Sequence, residues 1–330
     1  AYAAPTELEV KLASLLCDRV PSVEQVLFTN SGSEAVMAAL RAARAFTGRS
    51  MIAKFEGGYH GCYDHVCVSG KPPLEQAGDP SLPASVADNG GIPPRVLSEV
   101  AVMRFNDPVS VETVIDRYKD SLAAVIVEPV LGNAGVATPS PGFLELLRDI
   151  TRRHNILLIF DEVITLRIDW GGAQGYYRVT PDLTTMGKII GGGLPVGAVG
   201  GRADVLSVHD PSSGRPLVSH LGTFNANPLT LTAGITTLEL LTPEAYARLG
   251  QLGQECREKL TAVFQQQGVA GHASGVGSLF NLHLVDQPVV DYRSFKANDP
   301  TAMQLLHLGL LSEGIAIATR GMACTSLAMT

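Results

Sequence analysis

PSPGFLELLRDITRRHNILLIFDEV, residues 139–163, sets a helical pattern directly before an apolar run that ends in two acids. The first part reads as a helix with Ser140 as candidate N-cap and Pro141 at the first helical position. The second part, ILLIFDEV (156–163), reads as a strand buried on both faces, with Asp161 and Glu162 at its tip. The same alternation spreads outward on both sides. VLFT (26–29) precedes SGSEAVMAALRAARAFTG, an Ala-rich helix whose Ser31-x-x-Glu34 start has the form of a capping box and whose Gly48 is a stop signal. MIAKF (51–55), VAVMRF (100–105) and AAVIVEP (123–129) add further short apolar runs. Strand–helix–strand order of this kind predicts an α/β fold with right-handed crossovers and a mostly parallel sheet. Beyond residue 242 the text turns helical and then strand-like at GSLFNLHLVD (277–286). We therefore expect a large domain over 1–241 and a smaller α+β domain over 242–330. The stretch 70–95, rich in Gly, Pro, Ser and Asp, reads as a long loop.

The totals bound the function. The 330 residues suffice for one large and one smaller domain, and 45% hydrophobic with only 6% aromatic content suits a buried parallel sheet. A net charge of −7 without any basic run argues against nucleic-acid binding. No apolar window reaches membrane-spanning length, and no signal peptide opens the chain. Five scattered cysteines are not a disulfide framework, so a reducing compartment, the cytoplasm, is expected.

Four features fall in or at the ends of predicted strands, where open α/β sheets place their ligands. NSGSEA (30–35) puts small residues at a helix N-terminus, which is either an anion cradle or a plain capped helix. Asp161–Glu162 is a buried acidic pair that needs partners, functional or structural. Lys188, in TTMGKIIGGGLPVG (184–197), sits among apolar residues: either it escapes to water, or it is held in a water-poor site where it becomes a nucleophile toward carbonyls. GGYHGCYDHVC (57–67) collects His60, Cys62, His65 and Cys67, but at no common zinc spacing, so loop and core roles compete with metal. Tyr59 there could stack on a flat ligand. Neither a P-loop nor the G-x-G-x-x-G fingerprint is present. An anion cradle, a stacking ring, a carboxylate and a lysine together suit pyridoxal phosphate.

With these residues in hand, the chain resembles the class III aminotransferases, pyridoxal-phosphate enzymes of fold type I that include glutamate-1-semialdehyde aminomutases and ω-amino-acid or amine transaminases. The matching text is FTNSGSEAVMAALRAARAFTGR, FEGGYHG, VIVEPVLGN, LLIFDEVITLR, GGAQGYYRVTPDLTTMGKIIGGGLPVGAVGGR and GTFNANPLTLTAG, covering most of residues 5–240. The resemblance implies that Lys188 holds the cofactor as a Schiff base and that Asp161 pairs with its ring nitrogen. It implies that Tyr59 and Val163 cover the two ring faces, and that Ser31, Gly32 and Ser33 bind its phosphate. Glu128 and Asn133 would lie near the phenolic oxygen. Thr223 would reach the phosphate of a neighbouring subunit, which makes the protein a homodimer with shared sites. The implied reaction moves an amino group from a small amine or amino acid to a 2-oxo acid or aldehyde.

Family members usually continue further at both ends, and their N-terminal segment helps wall the substrate pocket. The sequence starts on AYAAPTELEV and stops on CTSLAMT, so we expect a piece of something longer with an incomplete pocket. Loop 62–95 and GTFNANP differ from the corresponding text of the semialdehyde aminomutases, which favours a β- or ω-type transaminase. Arg167 is a candidate receiver for a substrate carboxylate, with a salt bridge as the alternative. An aminomutase or racemase on the same site, a non-catalytic scaffold and a nicotinamide dehydrogenase are the rivals, the last disfavoured by its missing fingerprint.

Overall fold

The computed structural model describes residues 4–212 and 214–329. Its centre is a seven-stranded sheet. The strands are β1 (Gln25–Thr29), β2 (Met51–Phe55), β5 (Val100–Met103), β6 (Leu122–Val127), β7 (Leu157–Asp161), β8 (Leu183–Gly187) and β9 (Gly197–Gly201). A short ribbon of β3 (Gly78–Asp79) and β4 (Leu82–Pro83) lies within the long loop after β2. The spatial order of the main sheet is β1-β9-β8-β7-β6-β2-β5. Neighbours from β5 to β8 pair in parallel, and β9 runs against both β8 and β1. The segment 188–196 between β8 and β9 holds only one short 3-10 turn, too little for a crossover helix, so the chain must turn back antiparallel.

The apolar run of β7 is explained by burial on both sides. Leu158 and Phe160 enter a core with helices Pro108–Tyr118 and Phe143–Arg153, while Leu157 and Ile159 enter a core with helix Gly32–Thr47. That last helix is nearly all small residues on its buried side (Ala35, Ala38, Ala39, Ala42, Ala43), which lets it lie close to the sheet. Gly48 ends it in the left-handed conformation, φ 68°, as the sequence suggests. A third core joins helices Glu7–Arg19 and Pro228–Leu240 to the β1–β9–β8 side.

Two local expectations are corrected. The helix expected from Pro141 begins at Phe143, because Gly142 takes φ 84°, a left-handed conformation that cannot propagate a helix backward. Ser140 offers its carbonyl to the Phe143 amide at 3.0 Å instead of capping with its side chain. Strand β7 stops at Asp161, leaving Glu162 and Val163 to the following turn.

The C-terminal part builds a second, antiparallel sheet of β10 (His272–Val276), β11 (Leu279–His283) and β12 (Met322–Cys324). Helices Pro243–Gln266 and Pro300–Ser312 accompany it. Val276 and Leu279 pack with Val130, Val136, Ile168 and Ala173, so this sheet leans on the loops that follow β6 and β7. Among the described residues no helix is long and apolar enough to cross a membrane.

Candidate active site

The carboxyl ends of the parallel strands converge on one cavity of about 480 Å³. Ser31 in the turn after β1, with Gly32 and Ser33 at the head of the helix, line it, the loop after β2 brings Tyr59 and His60, and Glu128 follows the end of β6. Asp161 and Val163 come from the end of β7, and Lys188 from the residue after β8. A second chamber adjoins it, sharing Tyr59, Gly61, Ile164 and Lys188 and adding Asn133 and Arg320. Asn133 thus lines the second chamber and not the first, and Thr223 lines neither.

At the head of helix Gly32–Thr47, the Ser31 hydroxyl accepts from the Glu34 amide at 3.2 Å. The other half of the expected box is shifted by one residue. The Glu34 carboxylate accepts from the Asn30 amide at 2.7 Å and from its side chain, rather than from Ser31. The first-turn amides of Gly32 and Ser33 have no intrahelical acceptor and remain for an anion, which the helix dipole also favours. Close approach is built in here. A Cβ on Gly61, at φ 94°, would fall 2.3 Å from the Ser33 hydroxyl, and one on Gly32 would fall 2.9 Å from Val163.

The two acids at the tip of β7 separate. Asp161 faces the cavity, its Oδ2 2.8 Å from Nδ1 of His60 and its Oδ1 accepting from the Val163 amide at 3.1 Å. Glu162 turns away and accepts from the amides of Ala173 and Gln174, the Gln174 side chain and the Thr165 hydroxyl. Among the described residues neither acid pairs with a lysine or an arginine, and Asp161 meets only the His60 ring. Burial raises the pKa of Glu162, which its amide donors oppose.

Glu128, 3% exposed, accepts from the Tyr59 amide at 2.7 Å and the Gly132 amide at 2.9 Å. Burial first, and the Asp161 charge second, push its pKa up to about 8. Lys188 has a left-handed backbone, φ 46°, rare for a residue with a side chain and of a kind that clusters at functional sites. Its side chain opens into both chambers. Even so, desolvation against the walls lowers its pKa, opposed by Asp161 and Glu128 and reinforced by Arg320.

Several residues were not singled out from the sequence or change role. Arg320 lines the second chamber, its guanidinium donates to the sulfur of Met322 at 3.3 Å, and its buried Nε has no partner among the described residues. Arg167, the sequence candidate for carboxylate binding, instead donates to the Ser278 hydroxyl at 3.0 Å and the Thr325 carbonyl at 2.7 Å. It ties the turn after β7 to the C-terminal sheet. His60 and His65 go to different carboxylates, Asp161 and Glu99, each at 2.8 Å. Among the described residues no three His, Cys, Asp or Glu side chains gather as a metal site.

The donor set suits a flat phosphate-bearing aldehyde. Free helix amides await an anion, a carboxylate stands across the cavity, and an accessible amine of lowered pKa lies at its edge. Known proteins agree. Residues 2–329 match the profile of the family described as Aminotransferase class-III. Glutamate-1-semialdehyde 2,1-aminomutase of Bacillus subtilis (strain 168) is 42% identical over 316 residues, spanning 96% of this chain and 71% of that protein. The crystal structure of an ω-transaminase from Sphaerobacter thermophilus superimposes with a TM-score of 0.96 at 49% identity, covering all of this chain and 75% of that one. A transaminase with PLP bound gives 0.91 at 38% identity, covering all of this chain and 75% of that one. The chain belongs to the class-III aminotransferases, enzymes that depend on pyridoxal phosphate.

Proposed function

We propose that the protein moves an amino group from an amine or a β- or ω-amino acid to a 2-oxo acid or aldehyde, with Lys188 as the residue that transfers the proton. The observation that carries this reading is the position of Lys188 at the junction of the two chambers, one holding the anion cradle and Asp161, the other Arg320. When bound, pyridoxal phosphate supplies an aldehyde that condenses with amines and a ring that accepts the electron pair left at Cα. Everything else falls to the chain's own groups. The amides of Gly32 and Ser33 hold the phosphate. Asp161 would accept a hydrogen bond from the protonated ring nitrogen and so keep it protonated, and Tyr59 and Val163 would give apolar walls to the ring. Glu128, largely protonated near neutral pH, offers a hydrogen bond toward the phenolic oxygen, and Asn133 assists from the adjoining chamber. Lys188 Nζ, with its lowered pKa, takes the proton from the donor's Cα and returns it to the cofactor side. Arg320, with no carboxylate partner among the described residues, receives the carboxylate of an acid substrate.

The working unit is a homodimer in this reading. Thr223 is exposed and lies outside its own chain's cavity, in a stretch where Leu217, Leu221, Phe224 and Leu229 are 63–92% exposed. A second copy covering that surface would carry Thr223 to the neighbour's phosphate. The five free cysteines support a cytoplasmic location. An aminomutase reaction on the same residues is the second reading, favoured by the 42% identity to a semialdehyde aminomutase. A spectroscopic titration separates them. The cofactor-loaded protein is mixed with a panel of amines and amino acids without acceptor. Transamination predicts that one donor converts the cofactor to its aminated form with release of one equivalent of carbonyl product. Isomerised donor without released carbonyl would overturn it in favour of the aminomutase.

A further inference from the structure

The strand text MIAKF sets a lysine among apolar residues, and in the fold Lys54 is fully buried on β2. A buried amine is costly unless its donors are used. Lys54 Nζ uses them on two carbonyls, Gly58 at 3.0 Å and Val68 at 2.5 Å. We propose that Lys54 is a positioning residue for Tyr59: with Glu128 it clamps the peptide group between Gly58 and Tyr59, and so fixes the ring that covers bound pyridoxal phosphate. The inference rests on the cofactor reading given above.

Three observations carry it. First, the Gly58 carbonyl and the Tyr59 amide belong to one peptide group. Lys54 donates to its oxygen, and its N–H donates to Glu128 Oε1 at 2.7 Å. Turning that peptide would break both bonds and leave buried polar groups unpaired. Second, the ring has little else to hold it. Tyr59 is 50% exposed, and among the described residues its hydroxyl meets only the Cys62 sulfur, at 3.9 Å. Its backbone therefore sets its place over the cavity. Third, the same amine closes the loop that carries the tyrosine. The bond to Val68, with the Gly57 amide on the Ser69 carbonyl at 3.0 Å, ties the far end of segment 58–68 back to its start.

The clamp also joins two charges. Lys54 is faced by Asp88, Cys67 and His60 of the long loop after β2, by Glu56 and by Glu128. Glu128 is faced in turn by Asp161, Lys188 and Arg320. Burial lowers the Lys54 pKa to about 8, opposed by Asp88 and then Glu128, while the Lys54 charge restrains the rise at Glu128. Each group thus limits the other's shift. Loss of the lysine charge should raise the Glu128 pKa further, and loss of the Glu128 charge should lower that of Lys54 further.

The first test is Lys54→Met, which keeps the chain length and removes the donors. The readouts are pyridoxal phosphate affinity, the visible circular dichroism of the bound cofactor, which reports the packing of its ring, and infrared titration of the Glu128 carboxyl in the apoprotein. We expect binding to weaken about ten- to a hundredfold, the range typical for hydrogen bonds from a charged group. The dichroic band should change, and Glu128 should lose its proton at higher pH than in the parent. Parental affinity and dichroism would overturn the proposal. So would weakened binding with Glu128 titrating as in the parent, since Lys54 would then only fill space. A second measurement leaves Lys54 in place. In nitrogen-15 lysine-labelled apoprotein, the buried Nζ should lose its proton at lower pH in Glu128→Gln than in the parent, and equal titration would overturn the clamp. A parent that binds no pyridoxal phosphate would count against the cofactor reading, while the titrations on apoprotein would still decide the clamp.

Discussion

Asp161 and Glu162 are sequence neighbours with separate fates, and the difference is set by the last residue of β7. Alternation at the strand tip points Asp161 into the cavity, while Glu162 folds back onto the amides of Ala173 and Gln174. From the sequence, the pair reads as acids that need partners; which acid takes which partner depends on contacts made by the turn that follows. Lys188 and Asp161 were legible because each breaks a local apolar pattern. His60 and Arg320 were not. The partner of His60 lies 101 residues away, and Arg320 meets the cavity only through the C-terminal sheet. No local spacing encodes either meeting. Glu128 supplies the prediction at this scale. Its folded pKa is raised from the ordinary carboxylate value near 4.5 to about 8, so between those pH values the folded state binds more protons than the unfolded one. Its contribution is therefore full at low pH and is lost as pH rises through that window, at up to about 1.4 kcal/mol per pH unit. Denaturant unfolding of apoprotein should show parental stability falling relative to Glu128→Gln from pH 4.5 toward pH 8. Parallel pH dependences would refute the raised pKa.

At the scale of elements, the parallel strands were readable because burial on both faces demands unbroken apolar runs, as in LLIFD and LAAVIV. Strand β9 was missed: GAVGG carries three glycines and no strand-favouring pattern. Its glycines serve close packing. A Cβ on Gly197 would fall 2.0 Å from the Ser31 carbonyl, and one on Gly200 2.8 Å from Val23. The start of helix Phe143–Arg153 was misplaced for a related reason, since the left-handed turn at Gly142 competes with the Pro141 signal. Element junctions also carry the phosphate site. Gly61→Ala would force a side chain onto Ser33 at a positive φ, so we predict destabilisation of at least about 1–3 kcal/mol and weakened cofactor binding. Calorimetry with and without pyridoxal phosphate measures both. Unchanged values would mean that Ser33 and the loop after β2 yield easily.

On the scale of the whole molecule, the site is assembled from both sheets and, in our proposal, from two subunits. Arg320 arrives just before β12 of the small sheet and lines the second chamber together with Lys188. Replacing it by Gln should raise KM for carboxylate-bearing substrates about ten- to a hundredfold and leave amines without a carboxylate unaffected. Equal effects on both substrate types would assign it a structural role. The dimer can be tested by complementation. Lys188→Ala and Thr223→Glu should each be inactive, and subunit exchange between them should regain activity, because a hybrid dimer holds one site with both native residues. No recovery in exchanged, dimeric protein would place Thr223 outside the partner's site.

The central claim is that Lys188 is the lysine that engages the cofactor, and reduction with borohydride tests it most directly. Holoprotein is reduced, digested and mapped by peptide mass spectrometry. We predict one phosphopyridoxyl group per chain, on Lys188, and none in Lys188→Ala. Attachment to another lysine, such as Lys71 of the second chamber, or no attachment in the parent, would contradict the account.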